Sequence, residues 1–378
     1  MSELSDRLAD LAIQIQQIPA PTFEERQRAE FVRRCFIDEG LNEVSMDERG
    51  NVYASLPVES GGQAAGARDM PSMDSTPLIV SAHLDTVFSI ETDLTIRKEN
   101  GRVYGPGIGD NSLGVAALFG LIWALREKTI RRKDDIWLVA NVCEEGLGDL
   151  NGMRAVVDRF GDKVRGYLVI EGLALGHVYH KAVGVRRYRI RVTTKGGHAW
   201  SDYGQPSAVH EIAGLIHSIS HLQPPGEPRS TLNVGTVNGG TGINVLAAEA
   251  ECELDVRSES RTVLEILSRQ VEALIKKANR EGVKAGWEII GERPAGSLDV
   301  THPFIQAGLR AVQAQGLEAG LTSGSTDANI PLSRGYPAVV LGMTTGGGAH
   351  TLKEYIDIAP IKKGLGQLVS FVESVVGD

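Results

Sequence analysis

PLIVSAHLDTV, residues 77–87, runs apolar through its first half and closes on His83 and Asp85. Such a run reads as a strand buried on both faces, the pattern of a sheet covered by helices on each side. Two more stretches repeat it. IWLVANVCEEG (136–146) ends in Glu144 and Glu145, and GYLVIEG (166–172) closes on Glu171. NVYASLP (51–57) and PAVVLGM (337–343) read as further strands. Helical runs separate them: SLGVAALFGLIWALREK from Ser112, a short one from Asn151 to Phe160, and KKGLGQLVSFVESVV near the end. Strands alternating with helices predict an α/β domain.

The pattern changes after residue 182. VGVRRYRIRVTT (183–194) alternates like a half-exposed strand, and PSAVHEIAGLIHSISHL (206–222) is an amphipathic helix. TLNVGTVNGG and AEAECELDVRS follow as strands, then the long helix from Arg261 and the strand GWEIIGER. Strand, helix, strand, strand, helix, strand is the order of the split β-α-β unit. The sequence therefore predicts an inserted domain at 183–292 within a discontinuous domain of 1–182 plus 293–378, and 378 residues are long for a single core. Upstream, Leu8, Leu11, Ile15 and Ile18 mark an amphipathic first helix, and FEERQRAEFVRRCFIDEG a second. The Gly-, Ala- and Ser-rich stretch from Val58 to Thr76 reads as a flexible surface insertion.

Hydrophobic content of 42% and charged content of 23% suit a soluble globular chain. A net charge of −9 argues against nucleic acid and against docking on anionic membranes. Cys35, Cys143 and Cys252 lie far apart, which is neither a disulfide framework nor a thiolate zinc site. A reducing, cytoplasmic setting is expected. The N-terminus lacks the basic start and apolar core of a signal peptide, and no run approaches the ~20 apolar residues of a membrane span.

The chemistry sits where apolar runs stop. Strand ends feeding loops are where open α/β sheets build sites. Asp85, two residues beyond His83, shares its face and can orient the imidazole. In YGPGIGDNSLG the glycines Gly105, Gly107 and Gly109 let the backbone turn before Asp110. The dinucleotide pattern Gly-x-Gly-x-x-Gly fails there, because Asp110 or Ser112 occupies its third position. Adjacent Glu144 and Glu145 at a buried strand end repel and need compensation, which a metal supplies. One can then ligate while the other faces substrate as a base. His350 lies beside three consecutive glycines, Gly346 to Gly348. A His/Asp/Glu set of this kind suits hydrolytic zinc, or manganese or cobalt.

Together the segments SAHLDTV, GPGIGDNSLGVAAL, EEGLGDLNGMRA, GGHA, SGSTDANIP and GGGAH resemble the di-zinc exopeptidase and deacylase family, which includes carboxypeptidase G, peptidase T, aminoacylase, acetylornithine deacetylase and succinyl-diaminopimelate desuccinylase. The resemblance covers nearly the whole chain. It implies a mixed sheet flanked by helices as the catalytic domain, with an inserted ferredoxin-like α+β lid or dimerisation domain. It implies two divalent ions: Asp110 bridging them through a loop with a cis peptide to Asn111, His83 and Glu171 completing one site, Glu145 and His350 the other. It further implies Asp85 as the catalytic neighbour of His83, Glu144 as general base, His198 as a group reaching a partner subunit's site across a homodimer, and Asn244 as a substrate-holding residue. The chain departs from many members in having Asn111-Ser112 after the bridging Asp, and Glu171 where other branches have Asp.

The expected activity is metal-dependent exopeptidase cleavage of small peptides. Deacylation of N-acyl amino acids is the alternative within the same chemistry, and a non-catalytic metal-stabilised binding protein the remote one. A serine hydrolase is disfavoured, since Ser323-Gly324-Ser325 lacks the Gly-x-Ser-x-Gly elbow. Asp327 is expected to shape a substrate loop.

Overall fold

The computed structural model describes residues 2–56, 58, 76–128 and 130–377. The insertion expected between Val58 and Thr76 thus falls, apart from its two end residues, outside the described residues. The chain divides into two compact units, Met1–Lys181 with Ser297–Asp378, and Ala182–Gly296.

In the first unit a mixed sheet runs in the order Asn42–Met46, Val52–Leu56, Ile136–Asn141, Leu78–His83, Gly166–Glu171, Ala338–Gly342 and His177–Ala182. The four strands from Ile136–Asn141 to Ala338–Gly342 are mutually parallel, and antiparallel strands flank them. Every residue of Leu78–His83, Ile136–Asn141 and Ala338–Gly342 is buried. That explains why these runs show no alternation: helices cover both faces.

The central helix, Leu113–Lys128, is buried at every position from Leu113 to Leu125. It packs against helices Ser2–Gln16 and Ile361–Val376 and against the sheet. Together with the turn before it, Ile108–Lys128 is long and apolar enough to cross a membrane. This differs from the expectation that no run comes near a span. The reason is that a helix enclosed on all sides needs no polar face. Its Phe119 stacks on Phe36 of helix Arg26–Asp38 with ring centroids 4.8 Å apart.

The second unit has strands Gly184–Thr194, Ser230–Gly239, Glu249–Ser258 and Val283–Arg293, and helices Ala208–Ser220 and Arg261–Ala278. Its antiparallel sheet puts Gly184–Thr194 between Glu249–Ser258 and Val283–Arg293, with Ser230–Gly239 at the edge. The last strand continues to Arg293, so the boundary expected at 292 falls inside it. Tyr188, Ile190 and Val192 join Leu254, Val256 and the helices in a core. On the opposite face, Arg187, Arg189 and Arg191 stand directly across from Asp255, Glu253 and Glu251, with ion-pair distances of 3.1, 2.9 and 3.1 Å. The alternation of VGVRRYRIRVTT is therefore core on one side and a ladder of paired charges on the other.

Phe119→Ala should remove the aromatic stack and leave a cavity, costing about 3–5 kcal/mol. A lower urea midpoint for unfolding checks this, and an unchanged midpoint would contradict the packing described.

Candidate metal centre

All four parallel strands deliver residues at their carboxyl ends. His83 and Glu171 are the last residues of their strands. Glu144 and Glu145 follow Ile136–Asn141, and His350 comes from the loop after Ala338–Gly342. Register aligns the ends: His83 pairs with Asn141, and Glu171 with Gly342. A parallel sheet thereby gathers side chains distant in sequence along one edge.

The expected ligands converge as two groups of potential donors sharing one residue. His83, Asp110 and Glu171 form the first, and Asp110, Glu145 and His350 the second, with donor atoms of each group within 4.8 Å of one another. Asp110 offers a different oxygen to each histidine: Oδ1 lies 3.2 Å from His83 Nε2, and Oδ2 lies 3.0 Å from His350 Nε2. Glu171 Oε2 lies 3.6 Å from His83 Nε2, and Glu145 Oε1 lies 3.0 Å from His350 Nε2. Glu144 belongs to neither group and is buried beside Glu145.

Side-chain bonds to main chain hold these loops. The Asp110–Asn111 peptide is cis, and Gly107, with φ of 74°, turns the loop before it. Asn111 Nδ2 donates to the Ile170 carbonyl at 2.8 Å, and its Oδ1 accepts from the Gly172 amide at 2.8 Å. This clips the Asp110 loop to the strand carrying Glu171. The approach is close: a Cβ on Gly172 would lie 2.0 Å from the Gly109 carbonyl oxygen. Glu354 Oε1 accepts from the amides of Gly109 and Asp110, and its Oε2 from that of Gly107.

Asp85 does more than stand beside His83. Its carboxylate accepts from the amides of Glu144 and Glu145, at 2.9 and 2.8 Å, and from the Thr22 hydroxyl at 3.0 Å. His83 Nδ1 lies 3.1 Å from the Asp85 main-chain carbonyl and 3.6 Å from its carboxylate. With a proton on Nδ1, donated to that carbonyl, Nε2 keeps a lone pair toward Asp110 and Glu171.

The charges fit a cation. Burial disfavours protonation of His83, yet Asp110, Asp85 and Glu171 raise its pKa well above the usual imidazole value. Asp110 and Glu145 hold His350 protonated up to about 10, against burial. Burial alone would push the Asp110 carboxyl up, but His350 and His83 hold it far below its ordinary range. Burial raises Glu171, His83 pulls it back, and neighbouring Asp110 and Glu145 push it up again. In the metal-free chain, protons on the two imidazoles thus supply the positive charge that the crowded carboxylates require.

Sequence reading missed Thr22, Asn111 and Glu354 as organisers of the site. Glu354 carried only the weak signal of a carboxylate just before the short strand Tyr355–Asp357. Asp327 was expected to shape a substrate loop. It is fully buried and accepts from Asn141 Nδ2 at 2.7 Å, beside the strand end next to His83. Burial, ahead of the opposing pull of His83 and Asn141, raises its carboxyl to about 7.

His198 and Asn244 lie in the second unit and are neighbours there. Gly197–His198 pairs with Val245–Leu246, and the Ala199 amide donates to the Asn244 carbonyl at 3.0 Å. Both side chains are exposed. His198 Nδ1 accepts from the amides of Trp200 and Ser201, at 3.2 and 3.3 Å. That occupies its lone pair and leaves Nε2 as an outward donor.

Fold and donor set define an α/β protein with carboxylate and imidazole groups placed as candidate metal ligands, and an inserted α+β unit. The chain belongs to peptidase family M20/M25/M40, whose sequence model matches residues 79–374. It is 25% identical over 372 residues to the succinyl-diaminopimelate desuccinylase of Corynebacterium glutamicum, covering 95% of this chain and 92% of that one. It is 26% identical over 308 residues to carboxypeptidase G2 of a Pseudomonas species, covering 76% and 71%. Among solved structures, aminopeptidase PepT from Bacillus cereus aligns with a TM-score of 0.79 at 21% identity over 98% of both chains. The Bacillus subtilis YxeP protein, described as a dinuclear metal-binding peptidase, aligns with a TM-score of 0.72 at 16% identity, covering 100% of this chain and 99% of that one. The protein is therefore a hydrolase of a metal-dependent peptidase and amidohydrolase family.

Ligation needs neutral imidazole, so if His83 and His350 take a metal, its uptake must displace their protons. The His350 pKa of about 10 lies above neutrality and that of His83 is raised in the same direction, so at pH 7 uptake should release protons. Affinity should then rise toward pH 10 by about tenfold per pH unit for each proton displaced. Calorimetric titration in buffers of different ionisation heat measures this, and uptake without proton release would contradict the protonation described.

Proposed function

We propose that this chain hydrolyses the amide bonds of small peptides as an exopeptidase using two divalent ions. The observation that carries the reading is the pair of donor groups sharing Asp110, with buried Glu144 next to the ligand Glu145. His83, Asp110 and Glu171 would hold one ion, and Asp110, Glu145 and His350 the other. A donor set of oxygen and imidazole suits zinc, with manganese or cobalt as substitutes. When bound, such ions supply Lewis acidity to a substrate carbonyl and acidify water.

The chain's own residues do the rest. Glu144 takes the proton of the attacking water and passes it to the leaving amine nitrogen, so that water adds across the amide to give an acid and an amine. Asp85 holds the amides of Glu144 and Glu145, fixing the base relative to the ligand beside it. Nε2–H of His198 donates to the oxyanion as it develops, and Asn244 beside it holds substrate. We place His198 in the site of a second copy of the chain, in a homodimer formed through the 183–292 region. The three free thiols fit a reducing, cytoplasmic setting.

Removal of an acyl group from an N-acyl amino acid uses the same groups. The likeness to a desuccinylase over nearly the full chain favours keeping this as the second reading.

Zinc-loaded protein incubated with di- and tripeptides and with N-acyl amino acids, with products read by mass spectrometry, tests the proposal. Release of residues from free-amine peptides is expected. Cleavage of the acyl compounds alone would transfer the protein to the second reading, and no cleavage by either route would sink both. Glu144→Ala should retain metal while losing about 10²–10⁴-fold in turnover, and wild-type turnover in that variant would remove Glu144 as the base.

His198→Ala mixed with inactive Glu144→Ala should regain part of the lost activity, because one mixed site keeps both groups. A mixture no more active than its components would argue against action across a dimer.

A further inference from the structure

Glu354 belongs to neither donor group and takes no part in the chemistry proposed above, yet its side chain is fully buried. A carboxylate withdrawn from water needs hydrogen bonds or charge in return. Glu354 finds main-chain amides: Gly107 and Gly109, each at 2.7 Å, and Asp110 at 2.8 Å. Successive amides converging on one point form a nest, a shape that ordinarily receives an anionic ligand. Here the chain fills it with its own side chain. The main chain of Glu354 adds two ties. Its carbonyl accepts from the Gly105 amide at 3.0 Å, and its amide donates to the Thr351 carbonyl at 3.1 Å, in the turn directly after His350. One residue thus connects the loop carrying Asp110 to the turn following His350.

Asp110 is the ligand least able to move, because it presents one oxygen to each group. A shift of its main chain disturbs both groups at once. We propose that Glu354 is a positioning residue for the metal centre, clamping the amides of Gly107, Gly109 and Asp110 so that the shared carboxylate meets both groups. The inference rests on reading the two donor groups as metal ligands, and it adds a determinant of metal affinity outside the ligand set.

Glu354→Gln keeps size and shape but replaces one accepting oxygen with an N–H donor, which faces an amide hydrogen whichever way the side chain is turned. Zinc affinity, measured by competition with a chelator, should fall about 10–100-fold. The visible spectrum of the cobalt-loaded variant should differ from wild type as the coordination relaxes. Wild-type affinity with an unchanged cobalt spectrum would overturn the proposal.

Val369→Ala, in the buried helix Ile361–Val376, is the control for general loss of stability. It should lower the melting temperature without weakening zinc binding. An equal loss of affinity in both variants would reduce Glu354 to an ordinary stabilising residue and refute the proposal. If Glu354→Gln does not fold, hydrogen exchange in metal-free wild-type protein decides. Protection of the Gly107, Gly109 and Asp110 amides supports the clamp, and exchange as fast as an exposed loop refutes it. A wild-type chain that binds no zinc would remove the metal centre and this proposal together. One that binds zinc tightly but cleaves none of the test substrates would overturn the proposed function while leaving the clamp in place.

Discussion

One constraint shapes the first unit: Asp110, Glu145 and Glu171 are brought close together at one edge of a buried sheet. Like charges in such surroundings repel strongly, and the assembly is tolerable only with positive charge among them. In the metal-free chain the imidazoles of His83 and His350 provide it by holding protons. The arrangement is thus prepared for cations, and Asp110 is its hinge because each of its oxygens faces a different histidine.

Holding that arrangement falls to side chains that grip main chain. In the loops at the carboxyl ends of the strands, several amides and carbonyls lie beyond the reach of the strand ladders. Buried polar groups satisfy them instead. Asp85 binds the amides of Glu144 and Glu145, and Glu25 binds those of Phe23 and Cys143. Asn111 spans Ile170 and Gly172. Arg28, buried enough that its guanidinium is pushed down to about 10, donates to the carbonyls of Ile18, Leu84 and Gln16. Each bond leaves a loop no freedom to slide, which is what ligands on loops require if a site is to be formed before metal arrives.

Family membership carries the general chemistry and stops short of the substrate. A desuccinylase and a carboxypeptidase are both among the relatives, each at about a quarter identity. The candidate metal ligands gather at the carboxyl ends of the strands and in the loops beside them, whereas selectivity resides in the groups that meet the rest of the substrate. His198, whose Nδ1 accepts from two amides, is the group proposed for that part in the second unit.

The sequence by itself determined the strands that are apolar throughout, the ferredoxin-like order of the second unit, and the residues of the donor set. Each of these is written in local pattern: unbroken apolar runs for His83 and Glu171, adjacent glutamates after Cys143, and glycines around Asp110 and His350. Glu354 and Asp327 were not legible in the same way. A lone carboxylate in a polar stretch looks alike whether it faces water or main-chain amides. Only the folded chain shows that Glu354 binds the amides of the Asp110 loop, more than two hundred residues earlier in the chain, and that Asp327 is buried against Asn141, the register partner of His83. Tertiary structure decided those roles because burial and the identity of a distant partner, not residue type, determine what an acidic side chain does.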